Sequence, residues 1–182
     1  MKSIEQIESE ATEFINFLNS VKDNNAIIAD LRSAMNENLS FKSFKHLAKY
    51  GGISKEGEYR YKANVVRLIA YMFALSKGNY VNNSRNFGSV AMDTFKADGT
   101  KIADIIKDKD ARFLKVISSD KYEIIERIRS FSSLINAKGV KVDYVKLYKD
   151  LILWSPHTRE IWAESFYNYS KEVKEEGVEQ ND

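Results

Sequence analysis

The chain has 182 residues, 43% of them hydrophobic and 12% aromatic, with 8 Gly, one Pro and no Cys. That is enough chain for one good core, or for two small helical lobes sharing one, and too few turn residues for anything but long helices. The lack of cysteine removes disulfides, thiolate metal sites and cysteine nucleophiles together, and fits a reducing cytoplasm. The formal net charge of +2 is unevenly spread: residues 24–171 carry 25 basic against 16 acidic side chains, a net of +9 between two acidic ends. Such a centre reads either as a polyanion-binding surface or as an ordinary Lys-rich solvated one.

In chain order, Met1-Lys2-Ser3-Ile4-Glu5-Gln6 shows no apolar run of the secretory kind, so neither signal nor anchor is expected. Ser3 and Gln6 form a capping-box pattern, and Ile4, Ile7, Ala11, Phe14, Ile15, Leu18 and Val21 recur at helical spacing above an acidic face of Glu5, Glu8, Glu10 and Glu13. A short helix is predicted over Ala26 to Asn36, with Arg32 exposed, and a third over Phe41 to Tyr50 with Phe41, Phe44 and Ala48 inward. The third helix aligns Lys42, Lys45 and Lys49 in one stripe, which reads as a solvent face or as an anion contact.

After Gly51-Gly52 and a loop over 53–58, the basic and aromatic run Tyr59-Arg60-Tyr61-Lys62 enters Ala63 to Leu75, apolar nearly all round with one charge, Arg67. Thirteen such residues are too few to span a membrane, so this is the predicted central core helix. Arg67 is expected to pair with an internal carboxylate and is kept off the contact set. Tyr59 and Tyr61 are read as anchors of the core helix rather than as stacking platforms for a base.

Gly78 is the predicted stop of the core helix. Asn79 to Asn86, which includes Arg85, reads as a mobile polar loop before a short helix near Ser89 to Phe95 and a turn at Ala97 to Thr100. A boundary near residue 100 divides an N-terminal helical lobe (1–99) from a C-terminal helical bundle (100–170), followed by an acidic tail (171–182) without apolar period. In the second half Asp110 is predicted to cap a helix at Ala111 to Ser118 that presents Arg112 and Lys115. Asp120 starts the next, with Arg127 and Arg129 outside or at the edge, and Gly139 ends it. Val140, Val142 and Tyr144 alternate briefly like a strand, but Asp143 to Trp154 is helical in period. Ser155-Pro156 opens a last helix carrying Trp162, Phe166 and Tyr169. The fold class expected is therefore all-α.

Enzymatic machinery is sparse. His46 and His157 are the two histidines, neither with an Arg four to six residues before it, as helical RNases of the HEPN type require. Asp104, Asp108 and Asp110 form one acidic cluster, read as a charged helix end rather than a Mg²⁺ site, and no phosphate-cradling glycine loop accompanies them. No metal, cofactor or catalytic residue is expected.

The order of Leu31-Arg32, the basic-aromatic entry to a core helix ending A-L-S-K-G (Ala74 to Gly78), and F-G-S-V-A (Phe87 to Ala91) resembles the CasB family. So do R-F-L-K-V-I (Arg112 to Ile117), I-E-R-I-R (Ile125 to Arg129) and G-V-K-V-D-Y-V-K-L-Y-K-D-L-I-L-W (Gly139 to Trp154). That family is the small subunit of Cascade, the type I-E CRISPR effector of antiviral defence. The resemblance covers about residues 24–169 and rests on the order and spacing of the pieces.

It implies a non-catalytic, two-lobed helical protein that packs head to tail with a second copy beside other Cascade subunits. It also implies contacts with crRNA, target DNA and the displaced strand through phosphates. Arg32, Arg60, Arg112 and Arg129 match the family's basic positions. Lys42, Lys45, Lys49, Arg85, Lys115 and Arg127 are added by the charge reading. The chain departs from the pattern at Ser33, where a second basic residue is common, and in its acidic tail. A helical DNA-binding regulator, or a scaffold that meets only proteins, would fit the same composition.

Overall fold

The computed structural model describes residues 2–54 and 57–168; Tyr169, the acidic tail and part of the 53–58 loop lie outside them. The described residues form an all-α fold of ten helices: α1 (Ile4–Ser20), α2 (Asn25–Arg32), α3 (Phe41–Leu47), α4 (Gly57–Leu75), α5 (Phe87–Lys96), α6 (Ile102–Asp104), α7 (Ala111–Ile117), α8 (Glu123–Ala137), α9 (Tyr144–Ile152) and α10 (Pro156–Tyr167). A 3₁₀ turn (Ala48–Tyr50) extends α3, and a π-turn (Ile105–Lys109) joins α6 to α7.

α4 is the axis. Its residues Val65, Val66, Leu68, Ile69, Ala70, Phe73 and Ala74 are completely buried, because α2, α8 and α9 cover it on different sides. α1 packs against α9 and α5 against α10, so elements from both sides of residue 100 feed one core. Its second half is aromatic: Phe113 stacks on Phe166 with centroids 4.1 Å apart, and Phe87, Phe95, Phe131 and Trp162 close round them. Gly88 makes that seam possible. A Cβ there would sit 1.9 Å from the Trp162 carbonyl oxygen, so only glycine lets α5 approach the α10 backbone so closely.

The helix ends follow local chemistry. Ser3 and Gln6 form the reciprocal capping box, Asp120 accepts from the N–H groups of Tyr122 and Glu123, and Ser155 caps α10 ahead of Pro156. Gly78, at φ +73°, donates its N–H to the Phe73 carbonyl and stops α4.

Three expectations about helix ends and faces are corrected. α2 ends at Arg32 because Ser33 and Asn36 turn the chain, the Ser33 hydroxyl donating to the Asp30 and Leu39 carbonyls and the Asn36 side chain accepting from the Asn38 and Leu39 N–H groups. α3 buries Ser43 and Leu47 rather than Phe41 and Ala48. Phe41 is 61% exposed, and the Ser43 hydroxyl tolerates burial by donating to the Ser40 carbonyl. Asp110 does not cap α7, because the chain runs helically into it through the π-turn; its carboxylate instead accepts from the Tyr167 hydroxyl at 3.0 Å.

The polar loop after α4 is tethered. Tyr80 makes a parallel bridge with Val142, the only trace of the alternating pattern near residue 140 among the described residues. The buried Asp143 carboxylate, while capping α9 through the Lys146 N–H, also accepts from the N–H groups of Asn83 and Ser84 at 3.0 and 2.9 Å.

Candidate nucleic-acid interface

The cations divide by what α1 does with its acids. Glu13 takes Lys49 at 2.7 Å, Glu8 takes Lys149 at 2.6 Å, and Glu10 takes both Lys62, at 2.9 Å, and Lys2. Burial works to raise the Glu10 carboxyl, but the hydrogen bonds from Lys2 and Lys62 outweigh it and hold it below the ordinary carboxylate value. Lys45 is met in the same way by Asp30 at 3.2 Å, a carboxylate that His46 also bonds at 3.1 Å. Of the α3 stripe only Lys42 has no ion pair among the described residues. A cleft of about 580 Å³ on this side is lined by Lys2, Lys49 and Lys62, and its acids Glu10 and Glu13 hold all three.

A second cleft, of about 540 Å³, opens between the chain after α2, α3, α4 and the start of α8. Arg60 and Arg67, two turns apart on one stripe of α4, line it, and neither has a carboxylate partner among the described residues. Arg67 therefore departs from expectation. Its Nε donates to the Ala63 carbonyl at 3.3 Å, and its guanidinium lies over the Phe44 ring, 5.9 Å from the centroid. Burial, and after it the charge of Arg60, lowers its pKa. Glu126 also lines the cleft and is bonded at 3.1 Å by Arg129, which places that arginine at the rim.

The other expected residues distribute as follows. Arg112 on α7 lies over Phe131 of α8, 5.9 Å from the ring centroid, with Lys115 one turn further along α7 and Arg127 one turn before Phe131 on α8. All three are exposed and without an ion pair among the described residues, and they make a second cationic edge. Arg32 is exposed, but its Nε donates to the Ala74 carbonyl at 3.1 Å and so satisfies the open end of α4. Arg85 is tied to Asp93 in an ion pair. The tyrosines of the first turns of α4, which begins at Gly57 and not at Ala63, divide. Tyr61 is buried with its hydroxyl on the Leu151 carbonyl at 2.7 Å, whereas Tyr59 is 78% exposed.

Sequence reasoning misses three cations. Arg67 is discounted there for its apolar surroundings, yet an arginine one helical turn from Asn64 and two from Arg60 is a signal that this stripe of α4 is wet. Lys121 stands over the Tyr61 ring at 4.7 Å, and Arg159 lies over Trp154 at 5.5 Å with its Nε buried and unbonded. Nothing in their sequence context marks either.

The description "CRISPR-associated protein Cse2" belongs to a family model that matches residues 28–167. Among solved structures, a Cse2-family CRISPR-associated protein from Thermus thermophilus superposes with a TM-score of 0.65 at 20% identity, over 87% of this chain and 97% of that one. No curated protein sequence matches the chain.

Proposed function

The chain belongs to the Cse2 family, the small subunit (CasB) of the type I-E CRISPR effector Cascade, and from that premise we propose that it serves there as a non-catalytic clamp on nucleic acid. Its cations hold the phosphates of the crRNA–target DNA duplex and of the displaced strand, and so stabilise the R-loop in antiviral defence. A second copy packs head to tail beside it among the other subunits, in the cytoplasm.

The observation that carries this reading is the pair Arg60 and Arg67, two guanidinium groups converging in one cleft with no acid of their own among the described residues. Arg112, Lys115 and Arg127 on the α7–α8 edge, without an ion pair among the described residues, extend the same charge, and Arg129 adds less because it already bonds Glu126. Lys42 and Arg32 contribute at its margins. Lys45, Lys49 and Arg85 contribute least, because Asp30, Glu13 and Asp93 already neutralise them. Guide pairing supplies sequence information in such effectors, so a subunit of this kind needs to recognise only backbone charge and shape. Arginine suits that task, since its planar fork meets phosphate oxygens in pairs.

The test is the affinity of the protein for unrelated single- and double-stranded oligonucleotides titrated with salt. Weak binding, little sequence preference and a steep salt slope are expected, with Arg112→Ala or Arg129→Ala lowering affinity on every sequence alike. Strong preference for one duplex sequence makes the protein a regulator instead. Absence of binding to any of them makes it a protein-only scaffold.

A further inference from the structure

We propose that the cleft holding Arg60 and Arg67 is a pocket for a single nucleotide turned out of its stack, and not merely a strip of backbone-facing charge; this rests on the nucleic-acid reading above. This site is concave, about 540 Å³, inside the range of roughly 300–1,000 Å³ typical of small-molecule pockets.

Its walls supply the three chemistries a nucleotide presents. Arg60 and Arg67 offer donors to a phosphate. Tyr122, just before α8 and 72% exposed, offers an aromatic face for a base in the same wall as Phe44, over which the Arg67 guanidinium lies. Asn64, half-buried between the two arginines on the same stripe of α4, offers an amide that both donates and accepts along a base edge. Glu126 does not cancel the arginines, because Arg129 bonds it at 3.1 Å. Glu37, also on the wall, is an exposed acid, so the phosphate end is placed at the α4 side, away from the turn after α2. An acidic peptide would use the arginines but leave the aromatic and amide groups idle, and for that reason a nucleotide is the better occupant.

The experiment uses the full chain and three RNA–DNA hybrids of equal length: one flush, one with a single bulged adenosine in the DNA strand, and one whose bulge is abasic. The bulged hybrid should bind about fivefold or more tighter than the other two, the scale set by one stacked base. Tyr122→Ala should abolish that preference while leaving affinity for the flush hybrid unchanged, and the exposure of Tyr122 leaves folding unaffected. Asn64→Ala should reduce the preference by a smaller factor. Equal, salt-sensitive binding to all three hybrids overturns the pocket and leaves the backbone reading standing. Loss of binding to all three overturns both. Tighter binding of a decaglutamate peptide than of the bulged hybrid also overturns the pocket, in favour of a protein partner.

Discussion

Two clefts of nearly equal volume flank the first turns of α4 and share Ile53 and Ser54 in their walls, yet they differ in whether their cations are already paired. The one beside α1 holds three lysines, each already bonded to Glu10 or Glu13. The one beside α8 holds two arginines that no carboxylate bonds among the described residues, its Glu126 being taken by Arg129 and its exposed Glu37 bonding neither. Cation count therefore says little about where an anion docks; what matters is which cations the fold leaves uncompensated. The acidic α1, which reads in the sequence as a terminus apart from the basic centre, folds onto that centre and neutralises one side of it.

The largest effect should come from removing the uncompensated pair. Arg60→Gln with Arg67→Gln, which keeps a polar group for the Ala63 carbonyl, should weaken binding to any nucleic acid roughly tenfold or more, since each charge-assisted contact contributes about 1.5–3 kcal/mol. Lys49→Gln with Lys62→Gln should change it less than about twofold, because those charges are already spent on acids. Equal losses from the two pairs, measured by fluorescence anisotropy at one salt concentration, would erase the distinction between the clefts.

The contrast should also be reversible. Glu10→Gln with Glu13→Gln frees Lys2, Lys49 and Lys62, and affinity should rise about threefold as the cleft beside α1 becomes cationic, in keeping with exposed pairs of about 0.2–1 kcal/mol each. Arg32 tests the boundary between support and contact. Arg32→Ala removes the bond to the Ala74 carbonyl and should lower Tm by about 2–4 °C, the shift expected for about 1 kcal/mol in a chain of this size. Arg32→Lys should restore affinity more than it restores Tm.

A pH experiment sharpens the same point on α3. Hydrogen bonds from His46, and then from Lys45, hold the Asp30 carboxyl below its ordinary value of 3.8. The folded value lies below the unfolded one, so the stability this carboxylate contributes is complete above 3.8 and is lost as pH falls through the depressed folded value. Denaturant midpoints measured downward from about pH 5 should fall less steeply in Asp30→Asn than in the parent chain.

Much of the fold is legible in the sequence because its signals are local. The Ser3–Gln6 box, the Asp120 and Ser155 caps, the Gly78 stop and the apolar run of α4 each depend on residues within a few positions of one another. What is illegible depends on distant partners. The inward face of α3 is decided by Ser43 finding the Ser40 carbonyl and Leu47 finding α4's surroundings, not by which residues are largest. The loop after α4 is fixed by Asp143, some sixty residues away, and Asp110 is diverted from capping to Tyr167. For the interface, residue type and rough exposure can be read in advance, but compensation cannot. Lys49 and Arg60 look alike in sequence, and only the packing of α1 beside one and α8 beside the other separates them. Arg67 is misjudged for the same reason: no nearby acid in the sequence could show that none arrives in space.

The most direct test is the salt dependence of binding to a random-sequence RNA–DNA hybrid, compared between the parent chain and the Arg60→Gln/Arg67→Gln variant. If the α8 cleft carries phosphate contacts, the slope of log affinity against log salt becomes shallower by about two units, close to 0.9 per phosphate no longer neutralised. An unchanged slope in that variant, with the shallower slope appearing in Lys49→Gln/Lys62→Gln instead, contradicts the account.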